Sequence, residues 1–190
     1  MFSGCSPSLS ENGTLKSNIS PQEENLVIEE DMLDSENSIS TNTQALSQEE
    51  RDSLIHMREE EKLAQDVYLT LYDTWGKNIF QNIAASEATH TDAVANLLKQ
   101  FGIEDPVTEE TRGVFQNPEL QALYNTLVEQ GKKSLLDALI VGATVEDLDI
   151  QDIEAYRAIV KNSDILRVYE NLQRGSRNHM RSFVKNIKSE

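Results

Sequence analysis

Four stretches of this chain repeat apolar residues at alternating steps of three and four, and each repeat is broken near its middle by acids or histidines. Steps of three and four are the signature of an α-helix with one face turned inward. The series are Leu54, Met57, Glu61, Ala64, Tyr68, Leu71, Trp75; then Ile83, Glu87, His90, Val94, Leu97, Phe101; then Leu135, Leu139, Gly142, Glu146, Asp149, Ile153, Tyr156; and last Ile165, Val168, Leu172, Ser176, His179, Phe183. The spacing holds only if the ionisable positions belong to the buried faces. Long helices that follow one another without strands bury such faces against each other, so the expected fold class is an all-α four-helix bundle with a short extra helix.

Punctuation along the chain agrees with this reading. Ser47-Gln48-Glu49-Glu50 is a capping box, and Gly76 suits the left-handed stop of the helix it opens. A second helix is expected from about Ile79 to Phe101, with Gly102 as its stop. A loop rich in Pro, Gly and Thr follows to Asn117, where Asn117-Pro118-Glu119 starts a short helix to about Gln130. Ser134 with Asp137 opens the third long helix, which is expected to break near Asp149, and the last begins near Ser163 or Asp164. The bundle thus occupies residues 46–190.

Residues 1–45 differ in kind. They hold eight acids against Lys16, a net −7 of the chain's −16, and no aromatic after Phe2. Such a composition buries too little apolar surface to order itself, so a disordered acidic tether is expected. Phe2-Ser3-Gly4-Cys5 resembles the lipobox of bacterial lipoproteins, without the charged and apolar regions that precede one. Two expectations stand here: a lipid anchor through Cys5 on a trimmed precursor, and a free cysteine in a tail. A cytoplasmic protein goes with the second, a membrane-anchored extracytoplasmic one with the first.

Charge and cysteine usage exclude whole classes of chemistry. A net charge of −16 repels phosphate backbones, so no nucleic-acid partner is expected. The longest apolar stretch, Ala138 to Val145, is interrupted by Gly142 and Thr144 and is too short to span a membrane. With Cys5 alone, the chain by itself cannot make a disulfide framework, a Cys-rich zinc site or an iron–sulfur cluster. Any metal must be held by carboxylate and imidazole.

The inward set of ionisable groups is Glu61, Glu87, Glu146, Asp149, His90 and His179, with the two histidines as the only cationic candidates expected in the core. Burying unpaired carboxylates costs several kcal/mol each, and one or two divalent cations would neutralise the excess. Oxygen and nitrogen donors without thiolate suit iron or manganese, and the i, i+3 spacing of Glu87 and His90 puts both on one helix face.

Leu46 to Ile187 resembles an uncharacterised prokaryotic family of ferritin-like proteins, domain of unknown function 2202. The resemblance is carried by Glu59-Glu60-Glu61-Lys62-Leu63-Ala64, Ser86-Glu87-Ala88-Thr89-His90, Val145-Glu146-Asp147-Leu148-Asp149-Ile150 and Gly175-Ser176-Arg177-Asn178-His179. The first helix is also similar to rubrerythrin in Glu61, Ala64 and Tyr68, which favours Glu61 over Glu59 and Glu60 as the ligand. The resemblance implies a metal–carboxylate protein acting on dioxygen or hydrogen peroxide through one or two iron ions, with manganese as the other candidate. Glu61 and Glu146 would be terminal ligands, His90 and His179 would fix the two ends, and Glu87 would bridge. Ferritin-like proteins usually repeat Glu-x-x-His in the fourth helix, where this chain has Ser176-Arg177-Asn178-His179. Rubrerythrins carry a Cys-rich electron donor domain, absent from this sequence, so an enzyme of this kind would need a separate donor. Ferritin-like bundles often dimerise, and a homodimer stays open here although no stripe demands a second interface.

Several residues have a second reading. Asp149 is either an extra acid of the centre or the N-cap of a helix starting at Ile150. His56 is expected at the surface, and Tyr68 and Tyr156 as core rather than redox relays. The competing functions are non-catalytic metal binding or sensing, and a degenerate bundle serving as an interaction module.

Overall fold

The structure, a computed structural model, describes residues 45–190. Cys5 and the acidic segment read as a tether lie outside the described residues, Ala45 apart. Among the described residues there are five helices and no strand: α1 (Gln48–Trp75), α2 (Asn78–Gln100), α3 (Pro118–Gly131), α4 (Leu135–Ile159) and α5 (Ser163–Ile187). None is long and apolar enough to cross a membrane.

Local chemistry sets the ends. The Ser47 hydroxyl accepts from the Glu50 amide while Glu50 accepts from the Ser47 amide, closing the capping box. Gly76 stops α1 at φ 61°, where a side chain would be strained. Asn117, Ser134 and Asn162 cap α3, α4 and α5 through their side chains. The second helix begins at Asn78 and ends at Gln100, each one residue before the expected positions, and its N-cap Lys77 offers no side-chain hydrogen bond. The expected break at Asp149 does not occur: α4 runs unbroken from Leu135 to Ile159. Asp149 is no N-cap, because its carboxylate finds a partner on α5 in the Ser176 hydroxyl and does not turn back on its own backbone.

Short turns make two helical hairpins, α1 with α2 and α4 with α5. The hairpins pack so that α1 also meets α4, and α2 also meets α5, while α3 lies against α1 and α4. Glu50 ties the hairpins together at one end, its carboxylate accepting from the Lys161 and Asn162 amides at 2.8 and 2.9 Å.

The apolar core is split in two. One cluster gathers Leu63, Val67, Tyr68, Phe80, Ile83, Leu139, Val145 and Phe183; the other gathers Leu54, Met57, Val94, Leu97, Ile153, Ile165, Tyr169 and Leu172. On each long helix the sequence between them holds the interrupting polar residues: Glu61 on α1, Glu87 and His90 on α2, Glu146 and Asp149 on α4, and Ser176 and His179 on α5. The fold therefore presents a polar layer between two apolar ones.

The expectation that only histidines carry positive charge into the interior is corrected. Arg58 and Lys62 are buried as well, at 4% and 2% exposure. The crossover between α2 and α3 lies over the outer face of α1: Lys62 Nζ donates to Asp66 at 2.5 Å and to the Thr111 carbonyl at 3.0 Å. Arg58 Nε donates to Asp105 at 3.0 Å. Crossover residues without helical periodicity give no sign in the sequence that they will cover a charged face.

Candidate metal centre

The polar layer brings the sequence-derived residues together. Glu87 stands at its middle. Its Oε2 lies 2.7 Å from His90 Nδ1 and its Oε1 lies 2.8 Å from His179 Nδ1, so one carboxylate faces both imidazoles. Glu61 Oε2 is 3.3 Å from His90 Nδ1, and Glu146 Oε2 is 3.5 Å from His179 Nδ1. Two triads result, Glu61–Glu87–His90 and Glu87–Glu146–His179, each with donor atoms mutually within 4.8 Å. Glu61, Glu87 and Glu146 are each 2% exposed. The imidazole rings lie 5.6 Å apart, 29° from parallel.

Hydrogen bonding behind the triads fixes their orientation. Tyr68 donates its hydroxyl proton to Glu146 at 2.6 Å, leaving the other Glu146 oxygen for the centre. His179 Nε2 is 3.0 Å from the Ser86 hydroxyl, which turns Nδ1 inward. Ser176 donates to one oxygen of Asp149 and is itself buried. The ring of His90 rests on Gly175, where an added Cβ would stand 2.6 Å from two ring atoms. Tyr68 is thus buried in the core as expected and also serves the site.

Inside the layer, partners run out. Glu61 Oε1, Glu87 Oε1, Asp149 Oδ1 and both Nδ1 atoms of His90 and His179 are buried without a hydrogen bond. The imidazole nitrogens approach Glu87 to hydrogen-bond distance without hydrogen-bond geometry. Buried polar atoms are nearly always paired, so a cluster of orphans with converging lone pairs is what a cation site leaves between its ligands.

The charge balance of the cluster is correspondingly strained. Burial pushes the Glu61 and Glu146 carboxyls up to about 7, against the opposing pull of His90 and His179. For Glu87 burial also raises the pKa, but the two flanking histidines outweigh it and bring it to about 2. Burial depresses the imidazoles, yet their carboxylate neighbours carry His90 up to about 10 and His179 up to about 9. Asp149 is pushed well above the carboxylate range, first by burial and then by the charges of Glu61 and Glu60. A cation would substitute for the imidazole protons and let all the acids ionise.

A neighbouring group leaves little trace in the sequence. His56, expected simply at the surface, lies 3.5 Å from Glu60 and 3.7 Å from Asp152. Glu60 and Glu59, set aside in favour of Glu61, are both buried. Glu59 is structural, accepting from the backbone amides of Gln116 and Asn117. The signal that was available is the i, i+4 pairing of His56 with Glu60; the contribution of Asp152 comes from another helix and leaves none.

Fold and site together define, among the described residues, an all-helical bundle with a buried carboxylate–imidazole cluster whose residues could hold a metal. The chain belongs to the family described as an uncharacterized protein domain, DUF2202, whose profile matches residues 50–190. An uncharacterized protein of Methanocaldococcus jannaschii, MJ0754, is 59% identical over 142 residues, covering 75% of this chain and 77% of that protein. The crystal structure of hypothetical protein MJ0754 from Methanococcus jannaschii superposes with a TM-score of 0.76 at 57% identity, over 77% of this chain and 83% of the other.

Proposed function

We propose that this protein is a ferritin-like four-helix bundle that binds one or two iron ions, with manganese as the alternative, and reacts with dioxygen or hydrogen peroxide. The observation that carries the reading is Glu87, which belongs to both triads and turns one oxygen towards each of the two histidines. The residues fit such ions: the donors are oxygen and nitrogen, and several are orphaned. Glu61 and His90 would hold one ion, Glu146 and His179 the other, and Glu87 both. Bound iron would supply the electrons and Lewis acidity for reducing the oxidant.

The chain's own residues do the rest. Tyr68 keeps Glu146 oriented through its hydroxyl proton, and the Ser86 hydroxyl oxygen would hold His179 by accepting from Nε2–H when Nδ1 is the ligand. Asp149, presented by Ser176 with Oδ1 free, would supply the acid that a Glu-x-x-His in the last helix would have given. The two apolar clusters exclude water from above and below the layer. Repeated turnover would draw electrons from a donor outside the bundle, whose residues 46–190 contain no cysteine.

The test is oxidation kinetics. Iron-loaded, reduced protein should be oxidised by hydrogen peroxide faster than free ferrous ion under the same conditions. Equal rates at full occupancy would replace the catalytic reading by metal binding or sensing.

A further inference from the structure

Outside the buried layer, His56, Glu60 and Asp152 form a third triad with donor atoms mutually within 4.8 Å. His56 and Glu60 are one turn apart on α1, and Asp152 approaches from α4. Two ligands each about 2.1 Å from one ion stand roughly 3.0 to 3.4 Å apart in octahedral or tetrahedral geometry. The observed separations of 3.5 and 3.7 Å from His56 Nε2 need to close by only a few tenths of an ångström. The His56 ring is steadied edge-on by Tyr156, with centroids 5.9 Å apart.

An independent observation lifts this above a chance surface grouping. Glu60 is 6% exposed, and its Oε2, the oxygen aimed at His56, is buried with no hydrogen-bond partner. The other two ligands reach solvent: the side chains of His56 and Asp152 are 27% and 46% exposed, and a groove of about 790 Å³ opens beside His56.

We propose that His56, Glu60 and Asp152 form an outer divalent-cation site that loads the buried centre. Glu60 precedes Glu61 in the chain, and Asp149 lies one turn before Asp152 on α4. Asp149 keeps its own buried, unpartnered oxygen, so free carboxylate oxygens continue from the outer triad towards the polar layer. A cation moving inward would exchange carboxylate for carboxylate without crossing either apolar cluster. The loading role rests on the metal-binding reading of the centre; the outer site does not.

The experiment adds Co²⁺ alone to the purified full-length chain, counts bound ions by dialysis and metal analysis, and follows filling of the buried centre by its visible absorption. His56→Ala and Asp152→Asn should each remove about one bound ion and slow filling about tenfold, on the scale seen for altered ligand surroundings. Both side chains are partly exposed, so the melting temperature before cobalt is added should change little, and in Asp152→Asn, which removes a negative charge beside Glu60, it should not fall. Unchanged stoichiometry and unchanged filling rate in both variants would overturn the proposal. Glu87→Ala separates the two readings: it should lose the buried ions and keep the outer one. If wild-type chain binds cobalt only at His56, Glu60 and Asp152, the buried-centre reading fails while the outer site stands.

Discussion

On its outer face α1 buries Glu59, Lys62 and Asp66, and each of these charges meets protein partners: Glu59 the amides of Gln116 and Asn117, Lys62 the Asp66 carboxylate and the Thr111 carbonyl, and Asp66 also the Gly113 amide. On the inner face Glu61 joins Glu87, His90, Glu146 and His179, where oxygens and nitrogens crowd together and several have no hydrogen bond. Burial is the same on both faces; satisfaction differs, with Arg58 Nη1 as the outer atom that also lacks a hydrogen bond. A charge whose partners are all protein holds the crossover to the helix, whereas charges left facing one another are ones that a bound cation could neutralise.

The most forceful way to break this contrast is to remove its centre on one side only. Glu87→Ala should abolish binding of both inner ions by elemental analysis, while Glu59→Gln should leave metal content unchanged. Loss of metal in Glu59→Gln would erase the distinction between the faces.

Next in size is the outer face itself. Lys62→Met leaves Asp66 buried without its cation and should cost about 3–5 kcal/mol in denaturant unfolding, with metal stoichiometry intact. A cost within experimental error would mean that the outer charges are not the structural set.

Acidity sharpens the contrast further. Glu61 and Glu146 have folded pKa values of about 7, above the ordinary carboxylate value, so their neutral forms favour the fold. That contribution is complete below about pH 4.5 and is lost as pH rises through about 7. His90 and His179, raised to about 10 and 9, likewise lose theirs as pH climbs through those values. Chelated protein should therefore melt roughly 5–10 °C lower at pH 9 than at pH 5. The metal-loaded form, with its acids ionised and imidazoles neutral, should not show this fall. Parallel melting curves for the two forms would contradict the inner assignment.

The smallest effect probes orientation. Gly175→Ala places a methyl group against the His90 ring and forces it to turn. Metal affinity should weaken about tenfold, whereas a substitution at Gly102, where an added Cβ meets nothing within 4 Å but the φ of 62° is strained for a side chain, should lower stability and leave affinity in place.

Sequence reasoning reached the inner face and not the outer one, and the reason is locality. Stripe positions such as Glu61, Glu87 and His179 are defined by spacing within one helix, as are the caps at Ser47, Asn117 and Ser134. The burial of Glu59 and Lys62 depends on loop residues that lie 57 and 49 positions away, in a segment with no periodic signal. Asp149 was ambiguous for the same reason: as a residue type it suits an N-cap, and only Ser176, 27 positions on, decides that it stays within a continuous α4. The meeting of His56 with Asp152 likewise needs two helices from different hairpins.

The central claim, that the inner charges are ligands and the outer ones are struts, is tested most directly by anomalous diffraction from crystals of the purified protein soaked in ferrous or manganous ion. Peaks are expected between Glu61, Glu87 and His90 and between Glu87, Glu146 and His179, about 2.0–2.2 Å from the donor atoms. No peak should appear near Lys62 and Asp66. Soaked crystals with no anomalous peak in the polar layer, and His90 and His179 hydrogen-bonded to Glu87 as simple ion pairs, would contradict it.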